Sequence, residues 1–285
     1  MAIASPADFS LIIALLQAVL AVQGIGIAHL PLATAIADSS LVRGALSLYS
    51  WADQLAEIMD DDPIYGEVAM TTLVALSGIP QVAEQMALQG VLLQLSGAKL
   101  SNYFRKPGGK GQWDEPVGLF AVIWTEGFLP LCLNLLSAVG PAIAGEVSAF
   151  LNSFPEQLKR AEEAFRSEGP GSYGRRRQQH SGDVTLGLVR EAQGLVLIAL
   201  TLKSDLARAA ADGITAADVA PLRYDLENAR QEVGKLARSQ RSLADKVVAV
   251  NERELVMLGS DSHDNELLRR VADGVRVVMR CFGDE

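Results

Sequence analysis

The chain is short of charge where it is most apolar. Residues 1–150 carry 18 charged side chains and residues 151–285 carry 41. No basic residue precedes Arg43, so the opening residues lack the positive start of a secretory signal peptide. The net charge of -9 leaves no basic face for phosphates and argues against nucleic acid as a partner. Aromatic residues make up 6%, too few for base-stacking platforms. Cysteine is limited to Cys132 and Cys281, both in apolar surroundings. They are expected to be buried free thiols of a reducing compartment, with Cys132 acting as a small hydrophobe inside "LPLCLNLL".

Chemical motifs are equally scarce. "GGKG" at 108–111 lacks the spacing, the Ser/Thr and the preceding strand of a phosphate loop. "GIG" at 24–26 lacks the strand and the third glycine of a dinucleotide fingerprint. His29, His180 and His263 are scattered, and no Cys or His spacing matches a zinc site. "DSHDNE" at 261–266 lacks the central glycine of a calcium loop, and Asp261 or Ser262 is expected to cap the last helix instead. "DDD" at 60–62 is expected to end one helix and cap the next, and "RRR" at 175–177 to be solvated surface. No Ser/His/Asp or Cys/His set occupies plausible positions. The expectation is no catalytic residue, no metal and no cofactor.

What the chain does have is helix signals, with strand signals nearly absent. Its 285 residues can bury a large core. Ser5, Pro6 and Asp8 read as N-cap, first helical residue and third-position acid of a helix that starts abruptly, as an excised fragment would. Asp62-Pro63 opens a helix running to about Ser77, which Gly78 closes. "IPQVAEQMALQG" is a short helix capped by Gly90. Breaks are expected at "GFLP", "AVGPA" and "NSFPE", with Pro130, Pro141 and Pro155 each near the start of a new helix.

Two uncharged runs raise the question of a membrane. The stretch from Phe128 to Leu158 is interrupted by Pro141 and Gly145, and Leu131–Val139 is far short of the roughly 20 residues a span needs. Phe9–Ala37 has no charge, but Gln17, Gln23, Gly24, Gly26, His29 and Pro31 divide it into a helix and a turn. Both are therefore expected to be buried helices covered on both sides by neighbours, with no direct membrane span.

In the second half the apolar stripes are regular. Val184, Leu188, Ala192, Leu195, Ala199, Leu202 and Leu206 form one, and Leu268, Val271, Val275, Val278 and Phe282 another. Leu243, Val247 and Val250 mark a face between them. These late helices are expected to be long and buried on one side only, as at the end of a stack. Residues 166–183 have no apolar periodicity and read as a flexible loop. Residues 105–116 read as a second loop, with Trp113 folded back on the body. The expected organisation is an apolar helical-repeat half (1–165), the loop (166–183) and an amphipathic long-helix half (184–285).

"SGIPQVAEQMALQGVLLQLSGAKLSNYF" and "IWTEGFLPLCLNLLSAVGPAIAGEVSAFLNSFPEQL" resemble the C-terminal tail of the large fungal inner-ring scaffold nucleoporins. The resemblance rests on Ile79–Phe104 and Ile123–Leu158, which are packing motifs. It implies a right-handed α-helical solenoid of stacked helix pairs or triplets, armadillo- or HEAT-like. It implies a structural subunit of the nuclear pore complex at the nuclear envelope, serving nucleocytoplasmic transport without a reaction. Its partners would be other nucleoporins, both scaffold and linker subunits, with weak binding of Phe-Gly repeats like that of nuclear transport receptors. The residues alone reach stacked helices and no enzyme. They leave open two rivals: a carrier whose uncharged helices line a cavity for an apolar small molecule or lipid, and a membrane-associated protein using Phe9–Ala37.

Overall fold

The computed structural model describes residues 5–20, 29–56, 63–105, 121–163, 183–211, 220–238, 243–258 and 265–283. Among these residues every extended regular element is a helix, and the β structure is a single parallel bridge between Val184 and Val247. The chain forms two compact units, Met1–Glu156 with Thr201–Leu222 and Gln157–Leu200 with Arg223–Glu285.

In the first unit α1 (Pro6–Leu20) opens with the expected capping box. The Ser5 amide and hydroxyl both donate to Asp8 Oδ2 at 2.8 Å, and the Asp8 amide donates back to Ser5 Oγ at 3.3 Å. Next come α2 (His29–Asp38), α3 (Leu41–Ala56), α4 (Ile64–Ser77), α5 (Pro80–Leu88) and α6 (Val91–Gly97). Pro63 and Gly78 bound α4 as the sequence predicts. The C-cap of α5 is Gln89, and Gly90 follows it in the left-handed region at φ 64°. Helix α4 is the hub: α1 and α3 pack on it, and so does the later helix α7.

The predicted break at "GFLP" is absent. A π-helical turn, Ile123–Phe128, runs directly into α7 (Leu129–Val139), with Phe128 and Leu129 both in helical conformation. Pro130 has no amide hydrogen, and in a regular α-helix its ring would meet the carbonyl four residues back. The wider turn, in which the Leu129 amide reaches Trp124 O, gives the ring room without ending the helix. The predicted break at "AVGPA" is present. Gly140 adopts φ 69°, ψ -141°, and a 3-10 turn, Gly140–Ile143, leads into α8 (Ala144–Asn152). Pro155 starts α9 (Pro155–Glu163) as expected.

By length and composition the run Ile123–Asn152 could cross a bilayer, yet half of its apolar window is buried within the protein. Leu129, Leu131, Cys132, Leu135 and Leu136 are the buried face of α7, which packs against α4 and α5. Six rings fill the centre of this unit: Tyr49, Phe104, Trp124, Phe128, Phe150 and Phe154, none more than 4% exposed. Their centroids lie 5.1–6.5 Å apart, several pairs edge-to-face. The Tyr49 hydroxyl lies 3.0 Å from Ser101 Oγ, whose own hydrogen goes to Leu95 O at 2.6 Å. Tyr49 is therefore the donor, and its buried hydroxyl is satisfied.

The second unit holds most of α9 and the first part of α10 (Leu186–Ala211). It also holds α11 (Leu226–Arg238), α12 (Glu252–Leu258) and α13 (Glu266–Cys281). Helix α13 packs on α11 and α12, and it meets α10 closely at Gly274, where an added Cβ would fall 2.6 Å from Val189 Cγ1.

Three expectations for this half are corrected. Helix α10 is buried on more than one side, since Val189, Glu191, Val196 and Ile198 are covered as well as the predicted stripe. The α13 stripe begins at Leu267, not Leu268, and its N-cap is Asn265, whose Oδ1 accepts the Leu268 amide at 2.8 Å. Leu243, Val247 and Val250 do not share a helix face. Leu243 is buried and Val250 half-exposed, while Val247 sits in the bridge formed by Val184 N–H to Lys246 O and Val248 N–H to Val184 O.

Candidate interaction surfaces

Among the described residues no group of three or more His, Cys, Asp or Glu side chains is placed to hold a metal ion. His180, His263, the glycines of "GIG" and "GGKG", the acids of "DDD" and the arginines of "RRR" lie outside the described residues, as do the loop 166–182 and Trp113. Cys132 is fully buried and Cys281 half-buried, and burial raises both thiols above their ordinary range, Cys132 the further.

The second unit contains a polar cluster around the buried Glu191 and Tyr224 that spacing alone did not reveal. Arg160 Nη2 on α9 pairs with Glu191 Oε1 on α10 at 2.8 Å, and Glu191 is 1% exposed. Glu162 Oε1 accepts the Asp225 amide at 2.8 Å, and the Asn228 side chain donates to the Glu162 carbonyl at 3.3 Å. Tyr224 is buried beside them. Burial first, then the carboxylates of Glu191, Glu162 and Asp225, keep its hydroxyl protonated well above the ordinary phenol range. The cluster ties α9 to α10 and to the start of α11, partners 31 and 63 residues apart, and periodicity within one helix cannot report such pairs.

The open surface carries apolar side chains in places. On α1, Leu11, Ile12, Leu15 and Val19 are exposed, at 72%, 62%, 66% and 39%, while Ile13 faces inward. Leu11, Leu15 and Val19 are four residues apart and form a ridge. Trp51 and Leu41 are exposed on α3, Leu88 and Leu93 flank the Gly90 turn, and Leu255 and Val256 are exposed on α12. The expectation that every uncharged helix of the first half is covered on both sides therefore fails for α1. With only Asp8, Ser10 and Gln17 polar and no polar face among them, the pattern of α1 does not say which side is left open.

The profile of a family described as "Nuclear pore protein NUP188 C-terminal domain" matches residues 1–282. Nucleoporin NUP188 of Chaetomium thermophilum is 36% identical over 185 residues, 59% of this chain and 10% of that protein. Nucleoporin nup184 of Schizosaccharomyces pombe is 30% identical over 122 residues, 42% of this chain and 8% of that protein. The matches thus span about a tenth or less of these much longer relatives. Among solved structures, residues 1445–1827 of Nup188 from Myceliophthora thermophila share the fold, with a TM-score of 0.81 at 30% identity. That match covers 98% of this chain and 78% of the fragment.

Proposed function

The chain belongs to the family of NUP188 C-terminal domains, and on that premise we propose that it is a structural segment of the nuclear pore scaffold at the nuclear envelope. It works by presenting helix surfaces to neighbouring nucleoporins, and it catalyses no reaction. The observation that carries this reading is the family match over residues 1–282. The core supports it as well: the rings of Phe104, Trp124, Phe128 and Phe154 fill the space between helices where a carrier would hold an apolar ligand. A fluorescently tagged chain expressed in a fungal cell is expected to mark the nuclear rim. Uniform cytosolic signal from the intact, folded chain would overturn the reading.

The same surface supports weak binding of Phe-Gly repeats. Exposed apolar side chains such as Trp51 and Leu41 offer contacts for a phenyl ring, with Arg43 the one basic residue on their helix. One ring buries enough area for roughly 1.5–3 kcal/mol before ordering costs, so several sites must act together. Titration with a multi-repeat Phe-Gly fragment and its Phe→Ser counterpart tests this. Equal retention of both would remove the transport-receptor analogy and leave the architectural role.

A further inference from the structure

We draw no further inference here: the strongest candidate, the exposed apolar patch of Leu88 and Leu93 at the Gly90 turn between α5 and α6, carries nothing because nothing in the structure shows what covers it.

Discussion

The guanidinium of Arg105 lies over the ring of Phe154, 4.9 Å from its centroid. From there its Nε donates to Ser153 O at 3.1 Å, its Nη2 to Ser96 O at 2.7 Å, and its Nη1 to Asn102 Oδ1 at 2.8 Å. One planar side chain thus joins the end of α6, the 3-10 turn Lys99–Arg105 and the residue after α8. A lysine keeps the charge but cannot form this fork. Arg105→Lys is expected to lower stability by about 2 kcal/mol, read as a lower urea midpoint at unchanged slope. An unchanged midpoint would mean that these bonds only replace equivalent ones to water.

Much of this junction was legible locally and none of it globally. Pro155 after "NSF" announces the start of α9, and Ser5-Pro6 with Asp8 announces α1, because caps depend on residues within one turn of each other. Leu188, Ala192, Leu195, Ala199 and Leu202 of α10 and Val271, Val275 and Val278 of α13 are buried as their spacing predicts, for the same reason. The ring cluster joins residues from Tyr49 to Phe154, and no short-range pattern reports that these aromatics meet. "GFLP" misled because the proline rule assumes a regular α-helix, and the chain answers Pro130 with a π-turn. The exposed ridge of α1 was hidden by its own uniformity, since the few polar residues of that helix, Asp8, Ser10 and Gln17, do not gather into a face to set against the open one.

Cys132 is completely covered by the packing of α7, and burial pushes its thiol far above the ordinary range. Only Cys281 is expected to react with a thiol reagent under native conditions, and slowly, because its thiol is also raised by partial burial. Cys132 should be labelled only after denaturation. Cys132→Asp buries an unpaired charge between Leu131 and Leu135, and is expected to destabilise by several kcal/mol. Rapid native labelling of both thiols, or an unchanged thermal midpoint for the aspartate variant, would place the "LPLCLNLL" face in solvent.

The start of α1 should respond to acid. The Ser5 amide first and the Ser5 hydroxyl second hold the Asp8 carboxyl below its ordinary value of 3.8. A carboxylate whose folded value is depressed adds stability above the unfolded value and loses it as pH falls through the folded one. The cap is therefore expected to be intact at neutral pH and to release below the ordinary carboxylate range. Carbon-detected NMR titration of Asp8 reads this directly. Ser5→Ala should move the midpoint upward, and an Asp8 titration that ignores this substitution would show that the cap is open in solution.

The buried pair in the second unit permits a test that sets a destabilising substitution against a tolerated one. Arg160 and Glu191 pair at 2.8 Å with Glu191 1% exposed, so removing the acid leaves a guanidinium with no equivalent partner in a mostly covered site. Glu191→Ala is expected to destabilise by about 3 kcal/mol or more, because breaking a buried pair exposes the desolvation penalty of the remaining charge. Tyr224 lies beside the same carboxylate, and among the described residues its buried hydroxyl has no hydrogen-bond partner. A buried hydroxyl without a partner is a standing cost, so Tyr224→Phe keeps the ring packing and removes that cost. It is expected to leave the thermal midpoint unchanged or to raise it. If Tyr224→Phe instead lowered stability as much as Glu191→Ala, the hydroxyl would be bonded in solution, through a water molecule or to Glu191 itself. The cluster would then be a fully satisfied network, and the two losses should fail to add in the double variant.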